Sequence, residues 1–320
     1  MKANRFLGLV VLFCVFILTA CSKKDSPGPG GGIGPGGATN LGAGTIYYDW
    51  ADEGTHSINL QTGERGTIMA ENLDLDGWDV SPDNKLLLIS EGDNNDYDAE
   101  QYSITNVANG TLVNRFKWNS GYANPTSPLF SPDGSMIAVP PTYDDGIFLL
   151  DLQGRVLHSL ATFQGKKING DIAWMPDKTL VFSVGNNLYR TNTAYTSATL
   201  IKQMNFNTWG SITTSLDGTK IAFRGGNHIW MMNADGSGQV QVTESSDNEG
   251  VPVFSPDRKY LLIGQDYHQS IALSYVWTLK IIPADGQKYN VDDGADKRVI
   301  TVITKGQTTP EHGDGVMQWR

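Results

Sequence analysis

A recurring turn constrains this chain more than any other feature. A hydrophobic residue is followed by Ser-Pro-Asp or a near relative, then one to three polar residues, then an apolar run. The unit occurs as Val80-Ser81-Pro82-Asp83 before Leu86-Leu87-Leu88-Ile89, and as Phe130-Ser131-Pro132-Asp133-Gly134 before Met136-Ile137-Ala138-Val139. It recurs at Trp174-Met175-Pro176-Asp177, Thr214-Ser215-Leu216-Asp217-Gly218 and Phe254-Ser255-Pro256-Asp257, again before apolar runs. The aspartates stand at 83, 133, 177, 217 and 257, so the steps are 50, 44, 40 and 40 residues. Proline presets the turn, aspartate accepts nearby backbone N–H groups, and glycine tolerates a positive φ. A second turn recurs later in each unit, as in Ala108-Asn109-Gly110, Ala234-Asp235-Gly236 and Ala284-Asp285-Gly286. Two hairpins per unit of about 40 residues make a four-stranded blade, and such units in series make a β-propeller.

The ends of the chain complete the count. Thr45-Ile46-Tyr47-Tyr48 reads as a second strand, Ser57-Ile58-Asn59-Leu60 as a third and Gly66-Thr67-Ile68-Met69 as a fourth. The terminal Gly315-Val316-Met317-Gln318-Trp319-Arg320 matches Gly250-Val251-Pro252-Val253-Phe254-Ser255, the innermost strand of the preceding unit. The expected fold is therefore all-β, a six-bladed propeller over residues 45–320. Its sixth blade is closed by the C-terminal strand joining three N-terminal ones, which removes the free sheet edge.

The repeats resemble those of TolB-like propellers. The Ser-Pro-Asp-Gly turns carry the resemblance, with Ile229-Trp230-Met231-Met232-Asn233-Ala234-Asp235-Gly236-Ser237-Gly238. It loosens at Leu216, where proline is missing, and at Met175, where serine is missing. The α/β domain that precedes the propeller in TolB has no counterpart, so a TolB-specific partner does not carry over.

The first 20 residues read as a signal peptide: Lys2 and Arg5, then an almost wholly apolar Phe6–Leu18 that is short for a membrane span. It ends in Leu18-Thr19-Ala20-Cys21, similar to the lipobox of bacterial lipoproteins, in which the cysteine is acylated. Residues 21–44 then form a Gly/Pro-rich tether with a reach of roughly 25 Å. In these lipoproteins an aspartate after the cysteine commonly retains the protein at the inner membrane. Residue 22 is serine, so the resemblance implies an outer-membrane anchor, on either the periplasmic or the outer surface. With Cys14 removed and Cys21 lipidated, no thiol is left in the body. Loss of Lys2 and Arg5 takes the formal charge from −10 to −12. That sign, with no basic run, excludes nucleic acid as a partner. The propeller is expected to be a monomer.

Propeller geometry sorts the loops. With strands a to d from channel to rim, the a–b and c–d turns share one face, here the lower. The d–a and b–c loops share the other, the upper. The upper face collects acidic, aromatic and histidine residues. Candidate ligand-binding residues there are Trp50, Asp76, Tyr143, Asp145, Asn169, Trp209, Arg224, His228, Glu249, Asp266, His268, His312 and Asp314. Loops on a rigid scaffold commonly carry function. The expectation is a non-catalytic lipoprotein that binds a protein or glycan there.

The alternative is a metal-dependent lyase or hydrolase. Some TolB-like propellers are lyases that hold a metal through channel-facing histidines, which would cast His228, His268, His312 and Glu249 in that role. The three histidines come from different loop types without ligand spacing. Asp93–Glu100 offers closely spaced oxygens but not an EF-hand register, and a solvated acidic loop explains it. No catalytic residue and no cofactor are expected, a divalent cation being the sole alternative. The insertion from Asp285 to Arg298 is expected to be a mobile loop on the lower outer rim.

Overall fold

The computed structural model describes residues 44–50, 53–93, 95–96, 98–119, 126–140, 146–168, 170–270 and 274–320. Six antiparallel sheets form the blades, five of four strands and one, blade 6, with a fifth short strand, His312–Gly313, paired to its third. In the order a to d, blade 1 is Met317–Trp319, Thr45–Trp50, Gly54–Asn59 and Arg65–Met69. Blade 2 is Leu75–Val80, Leu86–Gly92, Ala99–Asn106 and Leu112–Asn119, and blade 3 is Leu129–Phe130, Met136–Val139, Ile147–Asp151 and Val156–Leu160. Blade 4 is Ile172–Trp174, Leu180–Val184, Asn187–Thr191 and Ala198–Gln203, and blade 5 is Trp209–Thr214, Lys220–Gly225, His228–Asn233 and Val240–Gln241. Blade 6 is Glu249–Phe254, Tyr260–Gln269, Tyr275–Pro283 and Ile300–Thr301.

The ring closes as the sequence predicts. Ile46, Tyr47 and Tyr48 face Trp319, Gln318 and Met317, and Thr45 and Arg320 exchange backbone hydrogen bonds of 2.6 and 2.9 Å. The core lies between blades rather than in the channel, because each sheet buries both faces against its neighbours. Tyr47, Trp78, Val80 and Leu87 fill the space between blades 1 and 2. Leu88, Tyr102, Phe130 and Leu150 fill that between blades 2 and 3, and Ile46, Tyr48, Trp277 and Leu279 that between blades 6 and 1. Each such side chain contributes about 1.5–3 kcal/mol.

The turn chemistry is explicit. Ser81 Oγ donates to Asp83 Oδ1 (2.7 Å) and accepts from Leu86 N (2.9 Å). The same pair of bonds recurs at Ser131/Asp133, Ser215/Asp217 and Ser255/Asp257. In blade 4 Met175 cannot accept, and Leu180 N donates instead to Thr191 Oγ1 at 2.9 Å. The position after the aspartate has positive φ in all five turns. It is glycine at Gly134 and Gly218 but Lys178 (φ 64°) and Arg258 (φ 65°) in the blades that follow them. Those cations reach back to Asp133 (2.9 Å) and Asp217 (2.7 Å). The left-handed conformation is offset in part by a clasp between adjacent turns.

The insertion after Asp285 corrects the expectation of a mobile loop. Tyr289–Asn290 pairs in parallel with Thr243–Glu244 at the outer end of blade 5. Tyr289 and Val291 are fully buried with blade 5 and 6 side chains. Lys280, also buried, holds the segment through Asp293 and donates to Thr301 Oγ1 at 2.8 Å.

Candidate functional site

A cavity of about 400 Å³ occupies the channel. It is lined at one equivalent register position per blade, by Gln318, Asp79, Leu129, Ala173, Thr213 and Val253 in turn around the ring. At its lower end stand Pro82, Pro132, Leu216 and Pro256 of the recurring turns. Those residues satisfy turn chemistry and wall the cavity as well, a second role that sequence reasoning missed. The 40-residue spacing could have revealed it, since equivalent turns must surround one axis.

Towards the upper mouth, two inner strands bulge alike. Trp209-Gly210-Ser211 and Glu249-Gly250-Val251 each carry an extra residue in the ladder, with φ of 53° at Ser211 and 47° at Val251. For a β-branched residue that conformation is strained by about 1–3 kcal/mol. Each bulge's glycine leaves room for a side chain from elsewhere. A Cβ on Gly210 would stand 2.5 Å from Asp171 Oδ2, and one on Gly250 2.7 Å from the Tyr267 ring. Asp171 Oδ2 accepts from Ser211 N at 2.5 Å, and burial raises the Asp171 carboxyl against the pull of Arg224.

The candidate residues form separate local groups. Arg224 pairs with Gly210 across the hairpin, and its guanidinium carbon lies 5.1 Å from the Tyr267 ring centroid. Tyr267 stacks on Tyr275 (4.8 Å) and on Trp277 (5.5 Å). His228 Nδ1 lies 2.6 Å from Glu249 Oε2. Glu249 is fully buried and also accepts from Thr243 Oγ1 (2.8 Å) and Ser245 Oγ. His268 Nδ1 lies 2.6 Å from the Asp266 carbonyl oxygen and 3.1 Å from its Oδ1, all on the exposed upper end of the long blade 6 hairpin. Trp50 packs on the His312 ring at 5.4 Å, and His312 Nδ1 lies 3.3 Å from Thr278 Oγ1. Burial lowers the His312 imidazole. Trp209 meets Phe223 edge-on. Asp76 sits in blade 2, raised first by burial and then by Asp74. Asp314 donates its backbone N–H to Asp49 O at 3.1 Å. Cys21, Tyr143, Asp145 and Asn169 lie outside the described residues.

Each histidine thus has its own partner, and among the described residues no three His, Cys, Asp or Glu side chains are grouped to hold a metal. Upper-face acids are also spent internally. Asp49 accepts from Thr55 Oγ1 (2.6 Å), Trp78 Nε1 (2.6 Å) and Val316 N (3.0 Å), tying three strands together. Glu311 accepts from Tyr48 OH at 2.6 Å and from Thr304 Oγ1 at 2.5 Å.

Sheet order, closure and turns define a six-bladed propeller of the Ser-Pro-Asp class. Its fold is the TolB-like β-propeller. A putative TolB from Agrobacterium tumefaciens is similar at 18% identity and TM-score 0.56, over 77% of this chain and 87% of that one. TolB from Acinetobacter baumannii is similar at 17% identity and TM-score 0.59, over 86% of this chain and 66% of that one. An oligogalacturonate lyase from Vibrio parahaemolyticus is similar at 14% identity and TM-score 0.49, over 69% and 71%. No protein family model matches the chain, and no curated protein matches it.

Proposed function

We propose that this is a non-catalytic binding module of the cell envelope, anchored to the outer membrane by a lipid on Cys21, that takes a protein partner at the upper mouth of its channel. The observation that carries this reading is the mouth itself. Two strained bulges, an exposed hairpin bearing Asp266 and His268, and half-buried Arg224 stand above a channel cavity of about 400 Å³. Local backbone strain of this kind concentrates where a scaffold meets a ligand. A protein is favoured over a glycan because the mouth's aromatic rings are engaged with one another. Tyr267 stacks between its neighbours, Trp50 lies on His312, and Trp209 is set against Phe223.

The start of the first strand supports an orientation. Gly44 O accepts from Leu60 N at the lower turn of blade 1, beside Arg320. A tether entering there leaves the upper face turned away from the bilayer.

Site-specific photo-crosslinking of the full chain in its native envelope tests the reading. A crosslinker at His268 is expected to give a discrete adduct, and one at the rim residue Leu157 is not. Adducts at Leu157 alone, or equal adducts at both, would contradict it.

A further inference from the structure

Arg224 is a half-buried cation in an acidic face, and its guanidinium is only partly engaged. Its Nε is buried and makes no hydrogen bond. Its guanidinium lies over the Tyr267 ring at 5.1 Å. Asp171 feels its charge, but Asp171 Oδ2 is held by Ser211 N. A buried donor left unmade is costly, more so when it is charged, and an acceptor supplied by a ligand is one way such a group is satisfied. A guanidinium presents paired N–H groups that match a carboxylate.

A second observation fixes what accompanies the carboxylate. Gly210 faces Arg224 across the hairpin, and the next residue, Ser211, already lines the channel cavity with Ile212, Val251, Val253 and Ile172. Along the backbone, the position opposite Arg224 and the first residue lining the well are therefore one residue apart. Such a spacing suits the carboxylate and the side chain of a peptide's last residue.

We propose that the upper mouth captures the free C-terminus of a partner polypeptide ending in an apolar residue. Arg224 takes the terminal carboxylate and the channel takes the side chain. The proposal rests on the binding reading above and names the chemistry of that site. An anion in a chain of formal charge −10 needs one such specific cation, which makes Arg224 the discriminating group.

The experiment uses the full chain carrying Cys21→Ser, with arginine Nε–H resonances followed by NMR. The probe is N-acetyl-leucine, titrated to roughly 20 mM, within the millimolar range expected of so small a ligand. It is expected to shift one arginine Nε–H signal, the one missing in Arg224→Gln, and that variant is expected to bind about tenfold more weakly or worse. N-acetyl-leucinamide, which lacks the charge, is expected to leave the signal in place. The acid-against-amide comparison on the unsubstituted mouth needs no variant, so a poorly folding Arg224→Gln does not remove the test.

Equal shifts with acid and amide, or unchanged binding by Arg224→Gln, would overturn the proposal. So would a shift given by galacturonic acid alone, which would reassign the anchor to a sugar acid. No shift with any probe would overturn it too, while the crosslinking result at His268 would still decide the binding reading separately.

Discussion

Asp79 and Arg320, 241 residues apart, meet in the wall of the channel, with Arg320 Nη2 donating to Asp79 Oδ1 at 2.9 Å. Asp79 is fully buried, and its other oxygen accepts from Phe130 N at 2.7 Å. Arg320 Nε donates to Val80 O at 2.9 Å. One carboxylate thus joins the last residue of blade 1, its own blade 2 and the inner strand of blade 3. The sheet pairing of Met317–Trp319 closes blade 1, and this clasp locks the closed blade to the next two.

Removing Arg320 leaves the buried Asp79 charge uncompensated, at a cost of about 3–5 kcal/mol, whereas Arg320 is partly exposed. Arg320→Ala is expected to lower the unfolding free energy read from urea denaturation by that much, and Asp79→Ala by less. The double variant is expected to cost less than the sum of the two. Additive losses would mean that the two side chains act independently.

Thr191 stands in for the missing serine of the fourth turn. Thr191→Val keeps the shape and removes the acceptor for Leu180 N, a buried amide. The expected loss is about 1–3 kcal/mol, read by chemical denaturation. A neutral outcome would show that the turn does not need the bond that the other four repeats make.

Glu100 gives the fold a pH dependence. It is 4% exposed, with Oε2 accepting from Thr126 Oγ1 at 2.5 Å and Oε1 without a partner. Burial is the main cause that pushes its carboxyl up from 4.5 to about 7. The folded chain therefore holds a proton that the unfolded chain has released. Its stabilising contribution is complete below about pH 4.5 and is lost as the pH rises through about 7. Relative to Glu100→Gln, the unsubstituted chain is expected to lose about 2–3 kcal/mol between those limits. Parallel pH profiles for the two would contradict this.

Lys178 and Arg258 trade backbone strain for charge. Replacing both by glycine relieves about 1 kcal/mol or more at each left-handed position and removes two exposed pairs worth about 0.2–1 kcal/mol each. In about 1 M salt, where screening weakens such pairs, the glycine variants are expected to melt higher than the original. At low salt the difference is expected to shrink. A lower melting temperature at high salt would mean that the side chains contribute something other than charge.

The sequence made the ring legible because its information is local and repeated. Ser-Pro-Asp turns, apolar runs and the match between 315–320 and 250–255 each recur in register. The insertion was less legible, since Tyr289 and Val291 alternate with polar residues too briefly to announce a strand that pairs with Thr243 from another blade. The mouth was least legible. A strand register alone places Arg224 on the upper face, but the bulges at Ser211 and Val251 depend on side chains arriving from Asp171 and Tyr267. The same holds for Glu249: residue type marks it as a ligand, whereas the fold uses its oxygens to join strands, as it does those of Asp49.

The most direct test of the closed ring is a disulfide between its ends. Tyr47 and Gln318 are cross-strand partners in blade 1, and the two native cysteines, Cys14 and Cys21, lie outside the described residues. With Cys21 replaced by serine in the mature chain, Tyr47→Cys with Gln318→Cys is expected to oxidise to an intramolecular bridge in the folded state. The bridge should raise the melting temperature reversibly with reduction, as closing so long a loop does. Failure of the pair to bridge in folded protein, or bridging only between chains, would contradict the closure on which the channel and both faces depend.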